Sequence, residues 1–217
     1  MPPIIAVVGY SQSGKTTLIE KLIPEFISRG YKVATVKHTH HHVVSDDADK
    51  DSWRHLQAGG AAVVLSSPRA LVMTKTTTGE TGLAEISRLL GEEYDLVIAE
   101  GFKLDRNVSK IEVHRQGSGP LLTDVSNLLA IVSDEPLDRK ERQIGLDDIA
   151  GMADLIEESV IKPEKVRSVL YADGVRVPMK GFIEEMVANI VEGMVASLKG
   201  VGETKRLEVF VRKNRKG

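Results

Sequence analysis

The chain has 217 residues, with Lys plus Arg at 29 and Asp plus Glu at 31, a formal net charge of −2 that excludes a globally basic nucleic-acid binder driven by counterion release. Hydrophobic residues at 41% and charged residues at 28% exclude a disordered chain, and at about 150 residues per domain the length predicts one mid-sized domain with a small appendage. The lack of Cys excludes a disulfide scaffold, an iron–sulfur site and a thiolate zinc site, and aromatics at 4% leave the core to aliphatic residues. In chain order, the start MPPIIAVVGY has neither a basic lead nor a long apolar core, so no signal peptide is expected. No apolar run reaches the roughly 18 residues that would predict a membrane span, and the cytoplasm is the expected compartment. Ile4 to Val8 reads as a strand, and Lys15 to Ser28 as a helix with Leu18, Leu22, Ile23 and Phe26 on one face and Gly30 as its stop. Lys32 to Val36 is the next strand and Lys50 to Ala58 the next helix. Ala62 to Ser66 and Ala70 to Thr74 form two strands around Pro68, expected to make part of the sheet antiparallel. Leu83 to Leu90 is helical, Leu96 to Ala99, Ile111 to His114 and Leu128 to Val132 are strands, and Asp147 to Glu158 is a helix.

Strands alternating with helices predict parallel pairing through right-handed crossovers. Continuous apolar strands such as IIAVV and LVIA suit a sheet covered on both faces. After about residue 160 the pattern changes. Val169 to Ala172 and Val175 to Val177 flank Asp173-Gly174, a tight-turn pair. Lys180 to Lys199 keeps apolar residues at helical spacing from Ile183 to Leu198. Arg206 to Arg212 alternates Leu207, Val209 and Val211 with charge, as a half-buried strand does. The expected organisation is an α/β domain over residues 1–159 and a small ββαβ unit over 160–217.

Gly9-Tyr10-Ser11-Gln12-Ser13-Gly14-Lys15-Thr16 fits the G-x-x-x-x-G-K-[ST] phosphate loop, between a strand that ends at Val8 and a helix that starts near Lys15. The glycines let backbone N–H groups turn toward phosphate oxygens, and the helix N-terminus adds partial positive charge. Lys15 is placed to bridge the β- and γ-phosphates, Thr16 to offer its hydroxyl to Mg²⁺, and Ser11, Gln12, Ser13 and Thr17 to complete the nucleotide contacts. Such a loop needs an acid at the end of a second buried strand. In open α/β sheets ligands sit at the carboxyl ends. Glu100 closes the LVIA strand and is therefore the Mg²⁺-side acid, and Asp95, roughly 16 Å away at the other end, is structural.

Lys37-His38-Thr39-His40-His41-His42 follows the second strand. Adjacent side chains on an extended segment point to opposite faces, so four histidines do not converge on one ion without a bend. Three readings stay open: phosphate or partner contact through Lys37, His38 and His41, a solvated loop, and transition-metal binding. The loop Val43 to Asp51 reads as a mobile switch or as a lead into a helix capped by Asp51.

These motifs together resemble the molybdopterin-guanine dinucleotide biosynthesis protein B (MobB) family. The resemblance rests on Gly9–Thr16, Lys37-His38 with the trailing histidines, Lys50-Asp51-Ser52, Arg54-His55, Ala58-Gly59, Glu100-Gly101-Phe102-Lys103 and Lys110-Ile111-Glu112-Val113-His114-Arg115, over about residues 4–157. It implies a P-loop protein of mostly parallel sheet flanked by helices, binding GTP with Mg²⁺ and hydrolysing it slowly. It further implies assistance to the nucleotidyltransferase MobA in attaching GMP to molybdopterin, a homodimer, and Lys15 and Glu100 as the residues of hydrolysis. Two features depart from P-loop relatives. Tyr10 stands where related ATPases carry an extra lysine, and there is no N-K-x-D guanine signature. Asp134, after the Leu128 strand, falls where a guanine-reading acid belongs, and reads either so or as a turn acid. Other classes remain: a metallochaperone GTPase using the histidines, and a small-molecule kinase.

Overall fold

In a computed structural model of the chain, described residues are 2–39, 50–162, 168–173, 175–202, 204 and 207–211. Six strands form one wholly parallel sheet: β1 (Ile4–Val8), β2 (Val33–Lys37), β5 (Leu96–Glu100), β6 (Ser109–His114), β7 (Leu128–Ser133) and β8 (Gln143–Gly145), in the order β2-β5-β1-β6-β7-β8. The chain first builds to one side of β1 and then crosses to the other at β6. The carboxyl end of β1 is thus the switch point, where open α/β sheets form their crevice.

Alternate residues of each strand serve opposite faces. On one face Ile5, Val7, Ile98, Ile111, Val113 and Val132 meet Leu18, Leu22 and Phe26 of α1 (Lys15–Ser28) and Met152 and Ile156 of α4 (Ile149–Ile156). A fully buried side chain of this size contributes roughly 1.5–3 kcal/mol, so this layer dominates stability. Arg29, at the end of α1, ties the two helices. It bonds Glu25, Asp154 at 2.6 Å, Glu157 at 3.1 Å and the carbonyl of Ala150. On the other face Ala6, Val8 and Ala99 lie under Leu83 of α3 (Leu83–Leu90) and Val108, with Phe102, Leu122 and Val125 around them.

Several expectations change. β3 (Ala62–Ser66) and β4 (Leu71–Lys75) pair antiparallel as expected, but as a separate two-stranded sheet and not as part of the main one. β4 has every residue exposed, so its apolar residues are not in the core. β8 escaped the sequence reading because three residues are too short for a periodic signal. The helix expected to Glu158 ends at Ile156, capped at its start by Asp148, and continues as a π turn over Glu157–Ile161. Asp51 is not a cap. It lies inside α2 (Lys50–Gln57), where it pairs with Arg54 at 3.2 Å.

By internal contacts the chain divides into Met1–Pro163 and Glu164–Gly217. In the second unit β9 (Leu170–Ala172) and β10 (Val175–Val177) form the hairpin, and α5 (Gly181–Ala196) follows. Ser168 bonds the carbonyl of Glu184 at 2.7 Å. The expected last strand of a ββαβ unit is absent among the described residues. Leu207 to Val211 is not in a strand, and Arg206 and Arg212 lie outside the described residues. The physical reason is burial: Val209, Phe210 and Val211 are all exposed, so the alternation finds no surface to cover. The α5 stripe is split, with Val187, Val191 and Val195 half-buried. Met186, Ile190 and Met194 are exposed, and Ala188 is the buried residue of the helix.

Candidate functional site: a phosphate loop at the switch point

The loop leaving β1 adopts backbone conformations that few residues tolerate. Gly9 has φ 144°, Gln12 φ 62° and Gly14 φ 98°. At Gly9 a Cβ would stand 2.3 Å from the carbonyl oxygen of Val113, so only glycine lets the loop pass β6. Gly14 is the residue before α1, which has no side-chain cap and no acid in its first turn. The first N–H groups of α1 are therefore left for an anion. Ser13 is fully buried, and its hydroxyl has no hydrogen-bond partner among the described residues. Ser11 and Gln12 are exposed at the loop's outer turn.

Lys15 donates to the carbonyl of Tyr10 at 2.6 Å, holding its ammonium across the loop. Burial pushes that ammonium below the usual lysine range; the Glu100 charge opposes the shift and Lys37 adds to it. Thr16 donates to one Glu100 oxygen at 3.0 Å, and Lys37 approaches the other at 3.4 Å. β5 pairs with both β1 and β2, so Glu100 lies beside Lys37 in register. A hydroxyl and a carboxylate oxygen this close form the hard oxygen donor set that Mg²⁺ takes, directly or through water, and the uncapped helix and buried Ser13 hydroxyl fit a phosphate chain. Mg²⁺ there would draw charge off phosphate oxygens. Asp95 accepts from the backbone N–H of Lys32 at 2.7 Å, joining the amino ends of β5 and β2, away from Glu100.

The backbone turns sharply after Glu100, with Gly101 at φ 95° and Phe102 at φ 56°. His38 packs on Phe102 with ring centroids 4.9 Å apart, and its Nε2 lies 2.7 Å from Glu80. His41, with His40 and His42, lies outside the described residues. Among the described residues no three His, Asp or Glu side chains group to hold a metal ion.

Lys110 was not singled out as a site residue by sequence, and it is fully buried. Its ammonium donates to the carbonyls of Asp105, Val108 at 2.9 Å and Ser126 at 3.0 Å. It thereby fastens the loop after Glu100 to the loop before β7. Burial pushes its pKa down. Glu112, also buried, accepts from the N–H of Leu122 at 2.6 Å, and burial pushes its pKa up. A strand pattern that alternates apolar with charged residues reads as half-exposed, which is why these two buried charges were not legible.

Across β1 from Glu100, a cavity of about 490 Å³ opens between Gly14, Thr17 and Lys21 of α1 and the residues after β6, β7 and β8. Asp134 lines it. One of its oxygens accepts from the N–H of Gln116 at 2.9 Å, and Arg115 Nε is 3.7 Å from the other. Thr17 and Asp134 thus share one cavity, with Gly14 between loop and pocket.

The family model described as "Molybdopterin guanine dinucleotide synthesis protein B" (MobB) matches residues 4–134. A Haemophilus influenzae protein named "Molybdopterin-guanine dinucleotide biosynthesis adapter protein" is 36% identical, over 71% of this chain and 88% of its own length. A Methanocaldococcus jannaschii relative is 27% identical over 96% of this chain and 97% of its own length, so in it the likeness runs into the C-terminal unit. In fold, the chain resembles the crystal structure of a MobB protein homolog from Bacillus stearothermophilus, with TM-score 0.56 and 24% identity over 74% of this chain and 99% of that one. The phosphate loop, the acid opposite it and the strands from β1 to β7 all fall within residues 4–134, and the chain belongs to the MobB family.

Proposed function

We propose that this chain is a GTP-binding adapter that works with a MobA-type guanylyltransferase to attach GMP to molybdopterin. It acts in the cytoplasm as a homodimer, with Mg²⁺ as the nucleotide's companion. The observation that supports this most is the pairing of Thr16 with Glu100 at 3.0 Å beside an uncapped α1 N-terminus, in a chain of this family. Gly9, Ser11, Gln12, Ser13, Gly14, Lys15 and Thr16 cradle the phosphates. Thr16 and Glu100 hold Mg²⁺, and Thr17 and Asp134 serve the nucleoside. Lys37 and His38 face the phosphate end, beside Glu100.

Hydrolysis by the isolated chain is slow, on the order of 10⁻⁴ per second, because no arginine reaches the Lys15–Glu100 side of the loop among the described contacts. The unit from about residue 160 serves self-association or partner docking, supported by the exposed Met186, Ile190 and Met194 on α5.

The deciding experiment measures guanine dinucleotide formation from molybdopterin and GTP by MobA, with and without this protein and its Lys15→Ala form. The wild type raises the yield or rate. Lys15→Ala does not, and it binds GTP roughly tenfold or more weakly, since charge-assisted phosphate contacts contribute about 1.5–3 kcal/mol each. Equal yields with and without the protein overturn the adapter role. Unchanged GTP affinity in Lys15→Ala overturns the loop's role.

A further inference from the structure

In the motif Lys110 to Arg115, His114 is taken up by Glu135 at 2.9 Å, and Arg115 is left without a role. Arg115 follows β6 as Asp134 follows β7, and His114 pairs in register with Ser133. The two side chains therefore leave neighbouring strands at the same level, on the carboxyl edge where β1 delivers the phosphate loop. Both line the cavity beside Gly14 and Thr17, whose volume is that of a small-molecule site.

The other charges there are committed elsewhere. Lys21 pairs with Asp147 at 2.9 Å, and Asp148 caps the N–H of Gly151 at 3.0 Å. Arg115 is held by its backbone: its N–H donates to the Ser118 hydroxyl at 3.2 Å, and its carbonyl accepts from the Ser118 N–H at 2.9 Å. Asp134 is held through one oxygen by the Gln116 N–H. At 3.7 Å, Arg115 Nε and the other Asp134 oxygen are too far apart for a hydrogen bond. A donor fork anchored at its backbone and an acceptor held through its other oxygen thus stand side by side as an ion pair, with no hydrogen bond between them.

That arrangement matches one purine edge. Guanine presents O6 and N7 as acceptors and, next to O6, N1–H and the 2-amino group as donors. Adenine keeps N7 as an acceptor but reverses the groups at positions 6 and 1, with N6–H₂ donating and N1 accepting. Arginine reads O6 and N7, and a carboxylate accepts from N1–H and N2–H₂. Adenine would face donor with donor and acceptor with acceptor. We propose that Arg115 is a specificity residue that reads guanine O6 in this cavity, beside Asp134 on the N1–N2 side, a pair that substitutes for the missing N-K-x-D signature. The proposal rests on the nucleotide reading of the phosphate loop and adds the residue that selects the base.

The test compares dissociation constants of the full-length protein for GTP, ATP, 2-aminopurine riboside triphosphate, which lacks O6 and with it the N1 proton, and inosine triphosphate, which lacks the 2-amino group. Calorimetry reads them for the wild type, Arg115→Ala, Arg115→Lys and Asp134→Asn, with Lys15→Ala as the loop control. The wild type is expected to prefer GTP over the 2-aminopurine analogue by roughly tenfold or more. Arg115→Ala narrows that preference by weakening GTP more than the analogue, Asp134 still rejecting the analogue's unprotonated N1, and Arg115→Lys narrows it less. Asp134→Asn loses the preference of GTP over inosine triphosphate instead. If Arg115→Ala is too unstable to assay, Arg115→Lys carries the same comparison. Equal weakening of GTP and the 2-aminopurine analogue, or a wild type indifferent between them, overturns the assignment of Arg115. Wild-type binding of GTP and ATP alike, still sensitive to Lys15→Ala, overturns it while the nucleotide reading stands. No binding of any triphosphate overturns both.

Discussion

Glu100 is shared by three neighbours, Thr16, Lys37 and, through its carbonyl, the His38 N–H. Replacing it with Gln keeps the shape and the backbone contact but removes the charge that, in the proposed function, organises Mg²⁺ and its waters. Glu100→Gln is expected to lower single-turnover GTP hydrolysis at least tenfold while GTP affinity changes by less than threefold, both roughly scaled to the loss of one charge-assisted contact. A larger loss from Asp95→Asn would contradict the strand-end assignment, because Asp95 holds Lys32 at the far edge of the sheet. Glu112 makes a separate prediction about pH. Burial raises its pKa in the folded chain, so folding takes up a proton in the window above the ordinary glutamate value of 4.5. Its contribution is therefore fully present below that value and is lost as pH rises through the folded pKa. Glu112→Gln carries no charge to desolvate. Its stability relative to the wild type should rise from pH 4 to pH 8, read by urea unfolding at both, and an unchanged difference would show that burial does not govern this acid.

Among the elements, β1, α1 and β5 were legible because each carries a strong, uninterrupted pattern: a run of apolar residues, a helical stripe, and the glycine loop between. The Gly9–Thr16 loop and the Glu100 position followed from those patterns and from the rule that sites form at carboxyl strand ends. What was not legible depends on long-range placement. Nothing local distinguishes a hairpin that joins the main sheet from β3–β4, which stands apart, and nothing local reveals whether Val209 to Val211 will find a surface. Arg115 and Asp134 are 19 positions apart by number, and only the β6–β7 register brings them together. The join between α1 and α4 is a further case, since Arg29 reads as a solvated helix-end cation. Arg29→Met should cost about 1–2 kcal/mol in urea unfolding, a modest figure because Asp154 is largely exposed and screened, while Glu157 is not. A loss below about 0.3 kcal/mol would show the network to be a surface decoration.

At the scale of the whole molecule, the two units divide the proposed labours. Every residue of the phosphate loop, the acid and the cavity belongs to the first. A chain ending near Pro163 is expected to keep GTP affinity within about threefold, equivalent to roughly 0.6 kcal/mol, while light scattering shows a changed mass or a pull-down shows lost MobA capture. A collapse of GTP affinity with mass and capture unchanged would move the second unit into the nucleotide site.

The carbonyl cage around Lys110 gives the first unit a built-in chemical clock. Acetylating reagents modify amines that water reaches, and an ammonium enclosed by the carbonyls of Asp105, Val108 and Ser126 is closed to them. Exposed amines such as Lys21 and Lys37 react in the native state, whereas Lys110 reacts only when the loop after Glu100 lifts. Its labelling rate, followed by peptide mass, then measures how often that loop opens. Any occupant of the Glu100 site that steadies the loop will slow the clock, with no need to follow turnover at all.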